Sequence, residues 1–208
     1  MAEIMSIDPA QPLSPLIARA AEVVKKGGVI IYPTETLYGL GADPRNPEAM
    51  KRLYAIKGRE QAKPIPFLIT GREMLKTLVE EIPPPGKELM ARYWPGPLTL
   101  IFRAKKGLLP PLGGEGGTIG LRVSSHPVAR GIVEAVGAPL TATSANPAGG
   151  GDITDARAIA RTFGLFKNQV TVMRHSGSRG LGYQVCDDSL AFMAKHVRTL
   201  DIPLPDRK

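Results

Sequence analysis

Gly28-Val29-Ile30-Ile31-Tyr32-Pro33-Thr34-Glu35-Thr36-Leu37-Tyr38-Gly39-Leu40-Gly41 is the stretch on which the fold turns. Val29 to Tyr32 is a short apolar run, too brief for a helix, and reads as a buried strand. Pro33 stops it, because proline has no N–H for a strand ladder. Thr34 to Gly41 then reads as a hydroxyl-rich loop at the carboxyl end of that strand. Such loops are where α/β proteins bind ligands. Thr34 and Thr36 share one side if the chain is extended. Their hydroxyls suit a small polar substrate, or else they satisfy backbone groups in a turn.

The neighbouring segments alternate in type. Upstream, Ser14-Pro15 has the form of an N-cap followed by proline at the first helical position. Leu16, Ile17, Ala20, Val23 and Val24 recur at helical spacing, and Gly27-Gly28 closes that helix. Downstream, Asn46-Pro47-Glu48 opens a second helix with Met50, Leu53, Tyr54 and Ile56 inward, and Gly58 is placed to cap it. Further strands are expected at 65–69, 98–102, 118–123, 139–143 and 169–173. Further helices are expected at 72–81, 87–93, 127–136 and 155–163. Pro83-Pro84-Pro85 separates two helices, Trp94-Pro95-Gly96-Pro97 is a rigid turn, and 105–117 is a loop. This alternation predicts an α/β domain. Some strand pairs lack a helix long enough for a parallel crossover, so the sheet should be mixed.

Composition narrows the classes. The chain has 208 residues, 43% of them hydrophobic but only 5% aromatic, which predicts a single domain with an aliphatic core. No apolar run reaches membrane-spanning length. Residues 1–13 carry Glu3 and Asp8 and have no continuous apolar stretch, so no signal peptide is expected. Cys186 is the one cysteine, which rules out an internal disulfide and fits the cytoplasm. The net charge of +8 suits a polyanionic partner, although solubility explains it equally. Its placement is uneven: Arg45, Lys51, Arg52, Lys57, Arg59 and Lys63 are opposed in that stretch only by Glu48 and Glu60.

Lys57-Gly58-Arg59 is the sharpest of these. If Gly58 ends the helix, the period changes to two and both cations can face one triphosphate. Alternatively they complement the negative end of the helix dipole. Ser144 and Asn146 follow the strand at 139–143 directly and suit a phosphate or a sugar, or serve as turn formers. Arg122 lies between Leu121 and Val123 in an apolar strand. It needs an anion, whether a bound carboxylate or an internal Asp or Glu. No GxxxxGK[ST] or strand-linked GxGxxG phosphate loop is present, and His126, His175 and His196 lack metal-site spacing. Catalysis by positioning and electrostatics is therefore expected, without a covalent nucleophile.

Taken together, residues 28–41, Lys57-Gly58-Arg59 with Lys63-Pro64, Trp94-Pro95-Gly96-Pro97-Leu98-Thr99, Ile119-Gly120-Leu121-Arg122-Val123 and Thr143-Ser144-Ala145-Asn146 resemble the YrdC-like family of threonylcarbamoyl-adenylate synthases. The resemblance covers about residues 14–165. It implies a twisted mixed sheet flanked by helices around a basic cavity, in a domain at 14–208. Residues 1–13 are then an N-terminal extension, and 175–208 a divergent C-terminal part. The implied reaction joins L-threonine, bicarbonate and ATP into threonylcarbamoyl-adenylate and pyrophosphate. Threonylcarbamoyl transferase proteins would take the product on to tRNA.

The same resemblance implies residue roles. Thr36 and Arg122 would hold threonine. Lys57 and Arg59 would be catalytic and, with Lys63, would contact the ATP phosphates. Thr118, Ser144, Asn146 and Arg198 would complete the nucleotide site. Mg²⁺ would arrive with ATP, and no metal site of the protein's own is implied. The chain departs from the family pattern at Leu68, where some members have histidine, and at Gly180-Leu181-Gly182-Tyr183-Gln184. A relative that binds tRNA or double-stranded RNA without synthase activity is the alternative reading. Carbamoyl transfer from another donor, as in a hydrogenase-maturation domain, ranks third, because the chain lacks the zinc-binding cysteines of such proteins.

Overall fold

A computed structural model describes residues 3–7, 14–58, 65–108, 112, 117–146, 158–159, 162–163 and 170–175. In chain order its elements are β1 (Glu3–Ile7), α1 (Ser14–Lys25), β2 (Val29–Tyr32), β3 (Gly39–Gly41), α2 (Pro47–Lys57), β4 (Phe67–Leu68) and α3 (Arg72–Leu78). They continue with α4 (Pro84–Tyr93), β5 (Leu100–Arg103), β6 (Thr118–Arg122), α5 (Pro127–Val136), β7 (Leu140–Thr141), β8 (Thr143–Ser144) and β9 (Val170–His175).

The strands form two sheets, both mixed. One has the order β1-β9-β2-β3-β8, the other β5-β6-β4-β7. In the first, β9 runs parallel to both β1 and β2, while β3 is antiparallel to β2 and β8. In the second, β6 is parallel to β4 and antiparallel to β5, and β7 is antiparallel to β4. The expected α/β class with mixed pairing is thus what the chain forms.

All four residues of β2 are buried, and the period of two explains why. Ile30 and Tyr32 join a core with Ile17, Ala20 and Val24 of α1 and Val128, Ile132 and Val133 of α5. Val29 and Ile31 face the other way, onto Ala49, Met50 and Leu53 of α2. A third core lies under α3 and α4, where Leu75, Leu78 and Met90 meet Phe67, Phe102, Ile119 and Leu121. Each large aliphatic side chain buried in this way contributes about 1.5–3 kcal/mol of transfer free energy. Leu68 joins the first core beside Tyr32 and Leu140.

Several boundaries differ from the sequence expectation. Residues 39–41, read as loop, are β3. A Cβ on Gly39 would lie 2.8 Å from Cζ of Tyr32, and one on Gly41 2.8 Å from its Cε1, so glycine is what lets the Tyr32 ring lie against this strand. The expected strand at 139–143 is two short ones, β7 and β8, divided between the sheets. The strand at 65–69 shortens to Phe67–Leu68, that at 98–102 shifts to Leu100–Arg103, and the helix at 72–81 ends at Leu78. Pro84 and Pro85 belong to the first turn of α4 rather than to the separator, since proline there forfeits only N–H groups with no helical partner. Glu3–Ile7, within the expected extension 1–13, form β1 at the edge of the larger sheet. Most of the helix expected at 155–163, and the C-terminal part beyond His175, lie outside the described residues.

Candidate functional site

Two polar clusters flank the segment from Thr34 to Gly41. The first is built on Lys57. Asn46 caps the start of α2 by accepting from the N–H groups of Glu48 (3.0 Å) and Ala49 (3.1 Å). Gly58 ends the helix in the left-handed conformation, at φ 60° and ψ 34°. A side chain would be strained there. Lys57 is therefore the last helical residue, as its place before Gly58 predicts. It does not simply sit in solvent as a dipole counter-charge. It is 6% exposed and reaches across to β8. Its ammonium donates to the Ser144 carbonyl, to Ser144 Oγ (3.2 Å) and to Asn146 Oδ1 (3.1 Å). Ser144 Oγ also donates to Asn146 Oδ1 at 2.5 Å. These acceptors are uncharged dipoles, which phosphate oxygens can replace or supplement.

The second cluster is built on Arg122. β6 alternates, with Ile119 and Leu121 buried and Thr118, Gly120 and Arg122 on the opposite face. Arg122 Nη2 lies 2.6 Å from Glu35 Oε1, and Nη2 also donates to Thr36 Oγ1 at 3.3 Å. Nε donates to Glu35 Oε1 and to the Gly96 carbonyl, both at 3.2 Å. The other Glu35 oxygen accepts from Ser124 Oγ. The Arg122 and Glu35 side chains are each only 13% exposed. Burial pushes the Glu35 carboxyl up, but the Arg122 charge and the bonds from Ser124 and Arg122 outweigh that and hold it below the usual carboxylate range. Glu35 is therefore ionised at neutral pH.

Of the two readings of Arg122, the internal ion pair is present, and the guanidinium touches Thr36 as well. Thr34 has a turn-forming role: its Oγ1 donates to the Leu37 carbonyl at 2.6 Å and accepts from the Thr36 N–H at 3.2 Å. Thr34 Oγ1 is also 3.1 Å from Thr36 Oγ1. The local turn thus aims Thr36 at Arg122.

Backbone pairing brings the clusters together. Three residues after Thr36, Gly39 lies opposite Ser144 in the β3–β8 register. The Ala145 N–H donates to the Tyr38 carbonyl at 2.7 Å. One short segment thus carries Thr36 at one end and abuts the acceptors of Lys57 at the other. Thr118 opens β6 on the same face as Arg122 but four residues away, about 13 Å along the strand. It is exposed and lies opposite Arg103, so it joins neither cluster directly. Arg59, Lys63 and Arg198, three of the cations expected around a basic cavity, lie outside the described residues.

Glu35 and Ser124 were missed as site residues. A signal for each existed. Arg122 in an apolar strand demands an anion, and Glu35 is the acid in the hydroxyl segment. Ser124 stands two residues from Arg122, on the same face of an extended chain. No group of three His, Cys, Asp or Glu side chains suited to a metal ion occurs among the described residues. Among them, too, no helix is long and apolar enough to cross a membrane.

The chain is similar to known proteins over most of its length. The Sua5/YciO/YrdC family model, which carries the description "Telomere recombination", matches residues 22–182. A threonylcarbamoyl-AMP synthase of Thiobacillus denitrificans is 38% identical over 141 residues, covering 68% of this chain and 75% of that protein. One from Bacillus subtilis is 35% identical over 171 residues, covering 82% of this chain and 49% of that protein. The crystal structure of Pyrococcus abyssi Sua5 complexed with L-threonine superposes with a TM-score of 0.76 at 30% identity, covering 85% of this chain and 51% of that one. The chain therefore spans about half the length of the Bacillus and Pyrococcus proteins.

Proposed function

Because the chain belongs to the Sua5/YciO/YrdC family, we propose that it is a threonylcarbamoyl-AMP synthase, acting by nucleotidyl transfer from ATP. L-Threonine and bicarbonate condense to threonine carbamate with loss of water. A carbamate oxygen attacks the α-phosphorus of ATP, the bond to the β-phosphate oxygen breaks, and pyrophosphate leaves. The observation that carries this reading is the pair of clusters held by one segment. Arg122 with Thr36 offers a carboxylate and hydroxyl site, and Lys57 on Ser144 and Asn146 offers a phosphate site. The names of the synthase relatives and the threonine-bound Sua5 structure point the same way.

In this proposal Arg122 takes the threonine carboxylate and Thr36 lends its hydroxyl. Lys57 steadies the phosphate at which substitution occurs, with Arg59 and Lys63 continuing the cationic lining and Thr118 and Arg198 serving the nucleotide. Stabilising charge that develops on departing pyrophosphate is the largest service such fixed cations perform. Mg²⁺ would enter as the counter-ion of ATP, held by phosphate oxygens and water. The product would pass to a threonylcarbamoyl transferase acting on tRNA in the cytoplasm.

The test is pyrophosphate release from ATP, which should require threonine and bicarbonate together. A relative that binds RNA without turnover would instead show salt-sensitive RNA binding and no pyrophosphate.

A further inference from the structure

Arg122 carries five N–H donors in a planar fork. Three are directed within the protein. Nε–H is shared between Glu35 Oε1 and the Gly96 carbonyl, and the two Nη2 hydrogens serve Glu35 Oε1 and Thr36 Oγ1. Nη1 makes no hydrogen bond among the described residues. Glu35 is itself fixed from the far side by Ser124 Oγ, which accepts from the His126 N–H at 3.1 Å. That N–H belongs to the residue capping α5. A chain of contacts thus runs from the start of α5 through Ser124 and Glu35 to one edge of the guanidinium.

From this geometry we propose that Glu35 is a positioning residue for the amino-acid substrate: it clamps the Nε–Nη2 edge of Arg122, so that the Nη1 side alone is left to take the substrate carboxylate. The inference rests on the synthase reading. Glu35 acts through Arg122 and needs no contact with substrate. A free arginine side chain has several rotamers and must lose that freedom on binding. The clamp removes this freedom before substrate arrives, which lowers the cost of binding.

The experiment compares wild type with Glu35→Ala, Glu35→Gln and Ser124→Ala. It measures KM and kcat for threonine, KM for ATP, and the fold of each variant by circular dichroism. Glu35→Ala should raise KM for threonine about tenfold or more, the scale of one charge-assisted hydrogen bond, with KM for ATP unchanged. Glu35→Gln keeps an acceptor oxygen and should recover part of that loss. Ser124→Ala should show a smaller rise. In ¹⁵N NMR the Arg122 Nε–H should exchange slowly in wild type and Glu35→Gln and rapidly in Glu35→Ala. An unchanged or lowered KM for threonine in Glu35→Ala would overturn the proposal, since Glu35 would then be idle or a competitor for Arg122. Equal rises in both KM values would mark a merely structural role and overturn it too. These outcomes presuppose an active wild type. A wild type that releases no threonine-dependent pyrophosphate defeats the synthase reading and this inference with it.

Discussion

Lys57 stands where a cation is commonplace, in the last turn of a helix, yet its ammonium is turned inward to Ser144 and Asn146 rather than out to water. Lys57→Met keeps the apolar stem and removes the charge. It should lower threonine-dependent pyrophosphate release on the order of a hundredfold, as loss of one fixed electrostatic contact does. It should also cost about 1–3 kcal/mol in urea denaturation, because part-buried acceptors lose their donor. Full activity in a folded Lys57→Met would remove Lys57 from the chemistry. Most of the residues involved were legible in the sequence, since a lysine before a helix-ending glycine and an arginine in an apolar strand both ask for anions. The identity of the Arg122 partner was not. Glu35 is 87 residues away along the chain, and no local pattern encodes such a pairing.

α2 is the element that aims Lys57, and both of its ends were readable, Asn46-Pro47 at the start and Gly58 at the stop. Asn46→Ala should lower stability by about 1 kcal/mol in denaturant unfolding. Gly58→Ala should cost about 1–2 kcal/mol, because alanine must enter the left-handed region. The two should differ in activity. Asn46 is a full helix length from Lys57, so its variant should keep its kcat/KM for ATP. Gly58 adjoins Lys57, so its variant should lose a measurable share. Equal effects on activity would show that the C-cap does not direct Lys57. α1, β2 and α5 were equally plain, because caps and apolar spacing are local signals. β3, β7 and β8 were not, being two or three residues long and defined by partners elsewhere. A Gly-Leu-Gly sequence looks like a loop until the Tyr32 ring is seen against it.

At the scale of the molecule, the two sheets meet at Thr141. Its Oγ1 donates to the Leu40 carbonyl at 2.9 Å and accepts from the Ala42 N–H at 2.8 Å, and its carbonyl accepts from the Tyr32 hydroxyl at 2.8 Å. Thr141→Val has nearly the same shape but leaves the Ala42 N–H without that acceptor. It should destabilise the fold by about 1–3 kcal/mol, with Thr141→Ser milder; equal stabilities would show that the junction rests on packing alone. The division into two sheets was not legible, because strand order depends on contacts such as β1 with β9, between opposite ends of the chain. The α/β class and mixed pairing were, from the alternation of short elements. The fold sets Thr36 and Arg122 at one end of a short segment and Lys57 with Ser144 at the other. The most direct measurement of what that arrangement does is pyrophosphate release from ATP by the purified chain, with threonine and bicarbonate supplied separately and together. Release only when both are present is the predicted result. ATP turnover indifferent to threonine, or none at all, would contradict it.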